Sequence, residues 1–315
     1  MPSPIPVAIL DDYQHVAFKF ADWAPIKDKL DITVFDTTVQ DEDELVKRLE
    51  KYEIICAMRE RTKFSASALD RLPNLKLIAT TGMVNRGTDV DHAQSRGIVV
   101  SGTGAGAKPR NDSTLEHIWA LLLATVRYVA LDDANTKARN PQWQSYIPLA
   151  LGGHTLGLVG VGRLGVCAHQ IAKAFGMRVI GWSPHLTPER AEQAGVEFCP
   201  SKEQLFESSD IVSVHMVLSE ATKGMIGASD LSRMKPTAFI INTSRGPLID
   251  ENALVDVLQK HKIAGAGLDV FDVEPLPLDH PLRTLDNVTL TPHTGYVSDF
   301  TYEVRHLTFV HIAHP

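Results

Sequence analysis

Between residues 157 and 165 the sequence reads GLVGVGRLG, set between a β-branched run, HTLGLVG, and an amphipathic one, RLGVCAHQIAKAFG. At a strand-to-helix turn, glycines at 160, 162 and 165 have a mechanism. They let the backbone turn tightly and approach a pyrophosphate at the electropositive start of the helix, where Arg163 and Leu164 follow. A packing turn with no ligand is the plainer account, but the full strand, turn, helix and strand context favours a dinucleotide. The next strand, MRVIGW, ends in GWSP, so Ser183 stands about twenty residues on, where an acid would hold the adenosine ribose 2′-hydroxyl. A serine hydroxyl can donate to a 2′-phosphate and brings no negative charge, and His185 and Arg190 lie just beyond. NADP(H) is therefore favoured and NAD(H) stays possible. Alternatively, Ser183 merely caps the following turn.

Further reactive groups fall at later strand ends: Arg245 after AFIINTS, Asp269 within GAGLDV, and His293 after NVTLTP. Ligands of open parallel sheets bind outside the carboxyl ends of the strands, so these groups share an edge with the glycine turn. Singly, such an arginine is usually a surface charge and such a histidine a structural one. Their common placement is what makes a candidate site.

The elements that must carry these groups alternate from end to end, short β-branched runs with amphipathic stretches, which is the signature of parallel α/β sheets. A first set contains PVAIL, DITVF, EIICAM, NLKLIAT and GIVVSG, with helices in DEDELVKRLEKY and SASALDRL. A Gly- and Pro-containing stretch, GTGAGAKPRND, reads as a linker. One long helix is expected from about Ser113 to Lys137, followed by strands in HTLGLVG, MRVIGW, DIVSVH, AFIINT, AGAGLDV and NVTLTP.

At 315 residues, two cores of ordinary size are a better expectation than one. Apolar residues at 44% and charged ones at 22% exclude a disordered chain. The net charge of −7, with both signs interspersed and no basic run, argues against a nucleic-acid partner. The longest apolar run, IWALLLATV, is about half a membrane span, and the N-terminus lacks a basic region before its short apolar stretch, so neither a membrane protein nor a signal peptide is expected. Three widely spaced cysteines, Cys56, Cys167 and Cys199, show neither metal-ligand nor disulfide spacing and fit a reducing compartment, most simply the cytoplasm.

Taken together, GLVGVGRLGVCAHQIAKAFGMRVIGWSP, NTSRGPLIDENALVDVLQKHKIAGAGLDVFDVEP and NVTLTPHTGY, with NLKLIATTG and STLEHIWALLLA upstream, resemble the D-isomer-specific 2-hydroxyacid dehydrogenase family over nearly the whole chain. The resemblance implies an α/β protein of two doubly wound parallel-sheet domains. A Rossmann coenzyme domain at 105–296 would be inserted into a flavodoxin-like, discontinuous substrate domain at 1–104 plus 297–315. It also implies His293 as acid/base, Glu274 of DVEP as its carboxylate partner, and Arg245 of TSRG as the anchor of the substrate carboxylate. The chemistry wants these groups independently. Hydride delivery to a 2-keto carbon generates an alkoxide that needs a proton near working pH, and a neighbouring carboxylate favours the charged imidazole that can give it. A planar guanidinium fork grips a carboxylate as a lysine cannot.

By the same resemblance Asp269 faces the nicotinamide carboxamide, although a structural strand-end cap is an alternative. Thr114 lies near the cofactor phosphate or caps its helix, and Thr243, Ser244 and Gly295 join the cofactor-facing set. Glu116 and His117 read as structural supports. On the substrate side, Gly82 offers a backbone N–H to the substrate carboxylate, Met83 an adaptable wall, and Arg59 of AMRERT either a charge for the substrate or a surface salt bridge. Tyr296 lines the pocket mouth or packs between the domains.

The departures from the family pattern are Ser183, Val217 where a proline is common, and an end at HIAHP where the family's last helix typically continues, so that helix is short or cut. The expected activity is hydride transfer between NADP(H) or NAD(H) and a 2-keto or 2-hydroxy acid, in a homodimer paired through the coenzyme domain. No metal is expected. The alternative is a dinucleotide-sensing, corepressor-like binding protein without physiological turnover. A formate-oxidising relative fits less well, because there the histidine's partner is usually an amide.

Overall fold

The computed structural model describes residues 3–20, 22–83, 85–103, 113–144 and 146–303. The chain divides into two compact units, Met1–Arg110 with Val297–Pro315, and Asn111–Tyr296. The expected boundary at 104/105, most of the expected linker and the closing HIAHP lie outside the described residues.

The first unit is a parallel sheet of β1 (Ile5–Ile9), β2 (Leu30–Val34), β3 (Ile54–Ala57), β4 (Leu77–Thr80) and β5 (Val99–Gly102), interleaved with helices α1 (Glu42–Leu49), α2 (Ala66–Asp70) and α3 (Val90–Ser95). Its strand order, β2-β1-β3-β4-β5, is that of a flavodoxin-like doubly wound sheet. Each helix starts where a short polar side chain can accept the orphan amides of the first turn: Asp41 from Glu44, Ser65 from Ala68, Asp89 from His92. The sheet is buried on both faces, with Leu45, Leu49, Phe64 and Leu69 on one and Trp23, Ile26 and Val7 on the other. That burial explains why its strands read as continuous apolar runs rather than alternating ones. The returning segment contributes Tyr302, buried here with its hydroxyl 3.0 Å from Gln14 Oε1 and its ring beside Phe20.

The second unit opens with α4 (Ser113–Val126) and α5 (Val129–Lys137). The single long helix expected here is thus two, bent by 62° at Arg127–Tyr128. Tyr128 takes a left-handed conformation, φ 55°, and its ring stacks on Tyr146 at 4.7 Å with Phe239 edge-on at 6.2 Å. These tertiary ring contacts compensate a backbone state that is unfavourable for a bulky residue. The unit continues through β6 (Thr155–Val159), α6 (Arg163–Ala174), β7 (Arg178–Trp182), α7 (Pro188–Gln193), β8 (Glu197–Phe198), α8 (Lys202–Ser208) and β9 (Ile211–Val214). It closes with α9 (Ala228–Leu231), β10 (Phe239–Asn242), α10 (Glu251–Gln259), β11 (Gly265–Leu268) and β12 (Val288–Leu290).

The order β12-β11-β10-β9-β6-β7-β8 is the Rossmann order with one added strand on the β11 side. The edge strand β8, which the sequence pattern did not suggest, pairs only two residues with β7. Helix α4 lays Ile118, Trp119, Leu121, Leu122 and Val126 into the core on one sheet face. Leu205, Phe206, Leu254 and Leu258 fill the other. Among the described residues no single helix is long and apolar enough to cross a membrane.

Candidate active site

The strand register aligns one edge of the second sheet. Val159 pairs with Val214, Val214 with Asn242, Asn242 with Leu268, and Leu268 with Leu290. Because all these strands are parallel, the residues that follow emerge side by side: Gly160 from β6, His215 from β9, Thr243 to Arg245 from β10, Asp269 from β11, and His293 shortly after β12. The crevice of the switch point lies between β6 and β9, whose chains continue in opposite directions along the sheet.

At that point the glycine turn is built without slack. Gly160 has φ 104°, and a Cβ there would meet the His215 carbonyl oxygen at 2.8 Å. A Cβ on Gly165 would lie 2.5 Å from the Gly160 carbonyl oxygen, whereas one on Gly162 would meet nothing within 4 Å. Gly162 is the N-cap of α6 and supplies no side-chain acceptor to the first-turn amides. A tight floor beneath an open, amide-lined mouth fits a pyrophosphate. Arg163 is exposed, and Leu164 is half-buried. Beside the turn, His215 has both ring nitrogens buried, and burial pushes its imidazole down to about 4, so it is neutral at physiological pH.

After β7, the Ser183 carbonyl accepts the Leu186 N–H and closes a turn, while its hydroxyl makes no hydrogen bond among the described residues. Thr187, not Ser183, caps α7. Arg190 reaches back to the His185 carbonyl at 3.1 Å, so a guanidinium stands over the turn that Ser183 opens.

His293 and Glu274 are brought together, Nδ1 to Oε2 at 2.5 Å, both side chains largely buried. The second carboxylate oxygen accepts the Phe271 N–H at 2.9 Å, which fixes the carboxyl plane. A carboxylate only accepts, so the Nδ1 proton points to Glu274 and Nε2 is left for proton exchange. His293 itself sits in the left-handed region, φ 53°, and the Tyr296 ring stands edge-on to its imidazole at 5.7 Å. Arg245, three residues beyond β10, donates from Nη1 to the Ser244 carbonyl at 2.7 Å. Its neighbour Gly246 packs so closely that a Cβ there would lie 2.1 Å from the Phe271 carbonyl carbon, tying the arginine's loop to the one that carries Glu274.

Asp269 is 1% exposed and accepts from Thr291 Oγ1 at 2.6 Å, Thr294 N at 2.8 Å and Gly295 N at 2.9 Å, with His117 Nε2 at 3.0 Å. Burial pushes this carboxyl up, but the hydrogen bonds from His117 and Thr291 outweigh it and hold Asp269 below the ordinary carboxylate value. His117 is therefore more than the helix support it was read as: it delivers the start of α4 to the Asp269 carboxylate and also meets Thr291 Oγ1 at 3.0 Å. No local pattern could have announced this, because both partners lie far along the chain. Thr114 stands on the same turn of α4, its methyl 3.7 Å from where a Cβ on Gly295 would sit.

Two of the expected site residues have hydrogen-bond partners within their own unit. The Ser244 hydroxyl donates to the Val214 carbonyl at 2.7 Å and so braces β10 against β9 rather than facing outward. In the first unit, the Gly82 N–H donates to Thr103 Oγ1 at 2.8 Å, because the hydroxyl just beyond β5 lies within reach. Arg59 Nε lies 3.6 Å from Glu60 Oε2, the salt bridge expected as one alternative, and its Nη1 is 2.8 Å from the place a Cβ on Gly82 would occupy. Met83 is 74% exposed. Thr243 is buried at the strand end. Among the described residues no cluster of His, Cys, Asp and Glu is placed to hold a metal ion.

Residues 119–295 match the D-isomer specific 2-hydroxyacid dehydrogenase NAD binding domain, and residues 7–131 match the catalytic domain of the same family. The chain belongs to the D-isomer specific 2-hydroxyacid dehydrogenase family. A D-3-phosphoglycerate dehydrogenase of Archaeoglobus fulgidus is 36% identical over 251 residues, covering 80% of this chain and 47% of its own length. A glyoxylate reductase of Korarchaeum cryptofilum is 39% identical over 242 residues, covering 75% of this chain and 71% of its own. This chain thus spans about half the length of the phosphoglycerate dehydrogenase. The crystal structure of a phosphoglycerate oxidoreductase from Vibrio cholerae superposes with a TM-score of 0.88 at 33% identity, covering 98% of this chain and 99% of that one. The family's NAD binding domain is thus the second unit, and its cofactor is a nicotinamide dinucleotide.

Proposed function

We propose that the chain is a D-2-hydroxyacid dehydrogenase acting mainly as a reductase of 2-keto acids. His293 is its acid/base, Glu274 the partner of that histidine, and Arg245 the anchor of the substrate carboxylate. The observation that carries this reading is the His293–Glu274 pair at 2.5 Å on the sheet edge that also presents the glycine turn. The nicotinamide cofactor, when bound, supplies the hydride. Glu274 holds the imidazole with Nδ1–H directed to itself, and Nε2 gives a proton to the oxygen that becomes a hydroxyl. Arg245 grips the carboxylate and sets positive charge beside the carbonyl as negative charge develops. Asp269, with its oxygens fixed by His117, Thr291 and Gly295, orients the nicotinamide carboxamide.

NADP(H) is the preferred form. The Ser183 hydroxyl is open to a 2′-phosphate and Arg190 stands over the same turn, with no acid at residue 183 to repel it. Glyoxylate, hydroxypyruvate and larger 2-keto acids are the substrates to try. The test is consumption of NADPH and of NADH with each of these acids by the wild-type chain. Turnover with at least one is expected. Tight dinucleotide binding with no turnover on any of them would instead favour a dinucleotide-sensing binding protein.

A further inference from the structure

We infer that Glu251, on the first turn of α10, is a positioning residue for the His293–Glu274 pair, a role that rests on the function proposed above. It acts through the strap that leaves β11 and runs to the 3-10 turn at Pro281–Thr284.

Phe271 and Leu276 anchor the strap in the core, at 6% and 8% exposure, but the stretch between them has no such anchor. Val273 is 52% exposed, and the residues on either side of Glu274 face solvent. Adjacent amides here are shared between two acids. The Phe271 N–H goes to Glu274 Oε1 at 2.9 Å, and the Asp272 N–H goes to Glu251 Oε2 at 3.2 Å. The Gly246 backbone is also so close that a Cβ there would meet Asp272 N at 2.6 Å. The strap is therefore pinned between the loop of Arg245 and the carboxylate of Glu251.

Glu251 is itself oriented. Its Oε1 lies 3.1 Å from His280 Nε2, with both side chains under one-fifth exposed. His280 Nδ1 accepts the Leu282 N–H at 3.3 Å, which leaves the ring proton on Nε2, directed at Glu251. Asp250 caps the helix by accepting the Ala253 N–H at 3.1 Å, so the turn that carries Glu251 is fixed as well. His280, Glu251 and the Asp272 amide thus form one chain of hydrogen bonds ending two residues from Glu274. Removing Glu251 frees the Asp272 amide and lets Glu274 swing relative to His293, and a displacement of about 1 Å at a reacting group can cost about a hundredfold in rate.

The test is a double-mutant cycle with Glu251→Ala and Glu274→Ala, read with NADPH and the best keto acid, together with the ¹⁵N shifts of the His293 ring. Glu251→Ala should lower kcat about tenfold or more with the dissociation constant for NADPH unchanged, and should add nothing in the Glu274→Ala background. Glu251→Gln, which keeps one acceptor oxygen, should fall between, and serves if the alanine variant folds poorly. The ring shifts should move from the Nδ1-protonated tautomer toward the Nε2-protonated one in both single variants. An equal kcat loss in both backgrounds, or His293 shifts unmoved by Glu251→Ala, would overturn the inference. The shift measurement needs no turnover, so it judges Glu251 even if the keto-acid assay fails and the proposed activity with it.

Discussion

The NADP(H) preference proposed above turns on Ser183. An acid at the end of β7 would bond the ribose 2′-hydroxyl and repel a 2′-phosphate, whereas serine with Arg190 above the turn invites the phosphate. Ser183→Asp should therefore raise the Michaelis constant for NADPH more than that for NADH, and an unchanged ratio of the two would contradict the assignment. Asp269 gives a second test, through stability. Its folded-state carboxyl is held below the ordinary value, so its contribution is present above the unfolded carboxylate pKa of about 3.9 and is lost as pH falls through the lower, folded one. Asp269→Asn should destabilise the fold by about 1.5–3 kcal/mol at neutral pH, with a deficit that shrinks on acidification, measured by urea unfolding at several pH values. A deficit that grew toward acid would reverse the sign of the argument. At this scale the sequence was legible for position, since His293, Arg245 and Asp269 stand just beyond their strands as the pattern of β-branched runs implied. It was not legible where a role depends on a distant partner, as for His117 on Asp269, Gly82 on Thr103 or Ser244 on Val214.

At the level of elements, the glycine turn and the strap do the positioning, and they do it by opposite means. The turn excludes side chains: at Gly160 a methyl would need both a left-handed backbone and space already filled by the His215 carbonyl. Gly160→Ala should weaken NADPH binding at least tenfold and cost about 1–3 kcal/mol of stability, read by cofactor fluorescence and thermal unfolding. Retained affinity would mean that the turn is not the pyrophosphate seat. The strap instead recruits side chains, and its partners on α10 could not be inferred from spacing. The break between α4 and α5 escaped sequence reading for a related reason. No Gly or Pro marks it, and the apolar periodicity runs on past Val126. Only the ring contacts of Tyr128 with Tyr146 and Phe239 show why the helix bends there. Strand β8 escaped because a two-residue edge strand has too little pattern to see.

For the molecule as a whole, strand-helix alternation makes both sheets parallel, and their orders explain why chemistry-bearing residues gather at strand ends. We propose that pairing of chains uses the coenzyme unit. The apolar face of α4 is taken up by its own sheet, while Trp143 and Ile147 beyond α5 are 79% and 96% exposed. Sedimentation equilibrium should give a dimer mass at micromolar concentration, shifted toward monomer by the double substitution Trp143→Ser with Ile147→Ser. A monomeric wild-type chain would remove this proposal and leave the chemistry of the site untouched.

The central claim is that the His293 imidazole, held by Glu274, protonates the substrate oxygen as hydride arrives. It is tested most directly by single-turnover stopped flow on His293→Ala loaded with NADPH and mixed with a reactive 2-keto acid. The expected result is a loss of about 10²- to 10⁴-fold in the hydride-transfer rate with NADPH affinity intact. A rate equal to that of the wild type would contradict it.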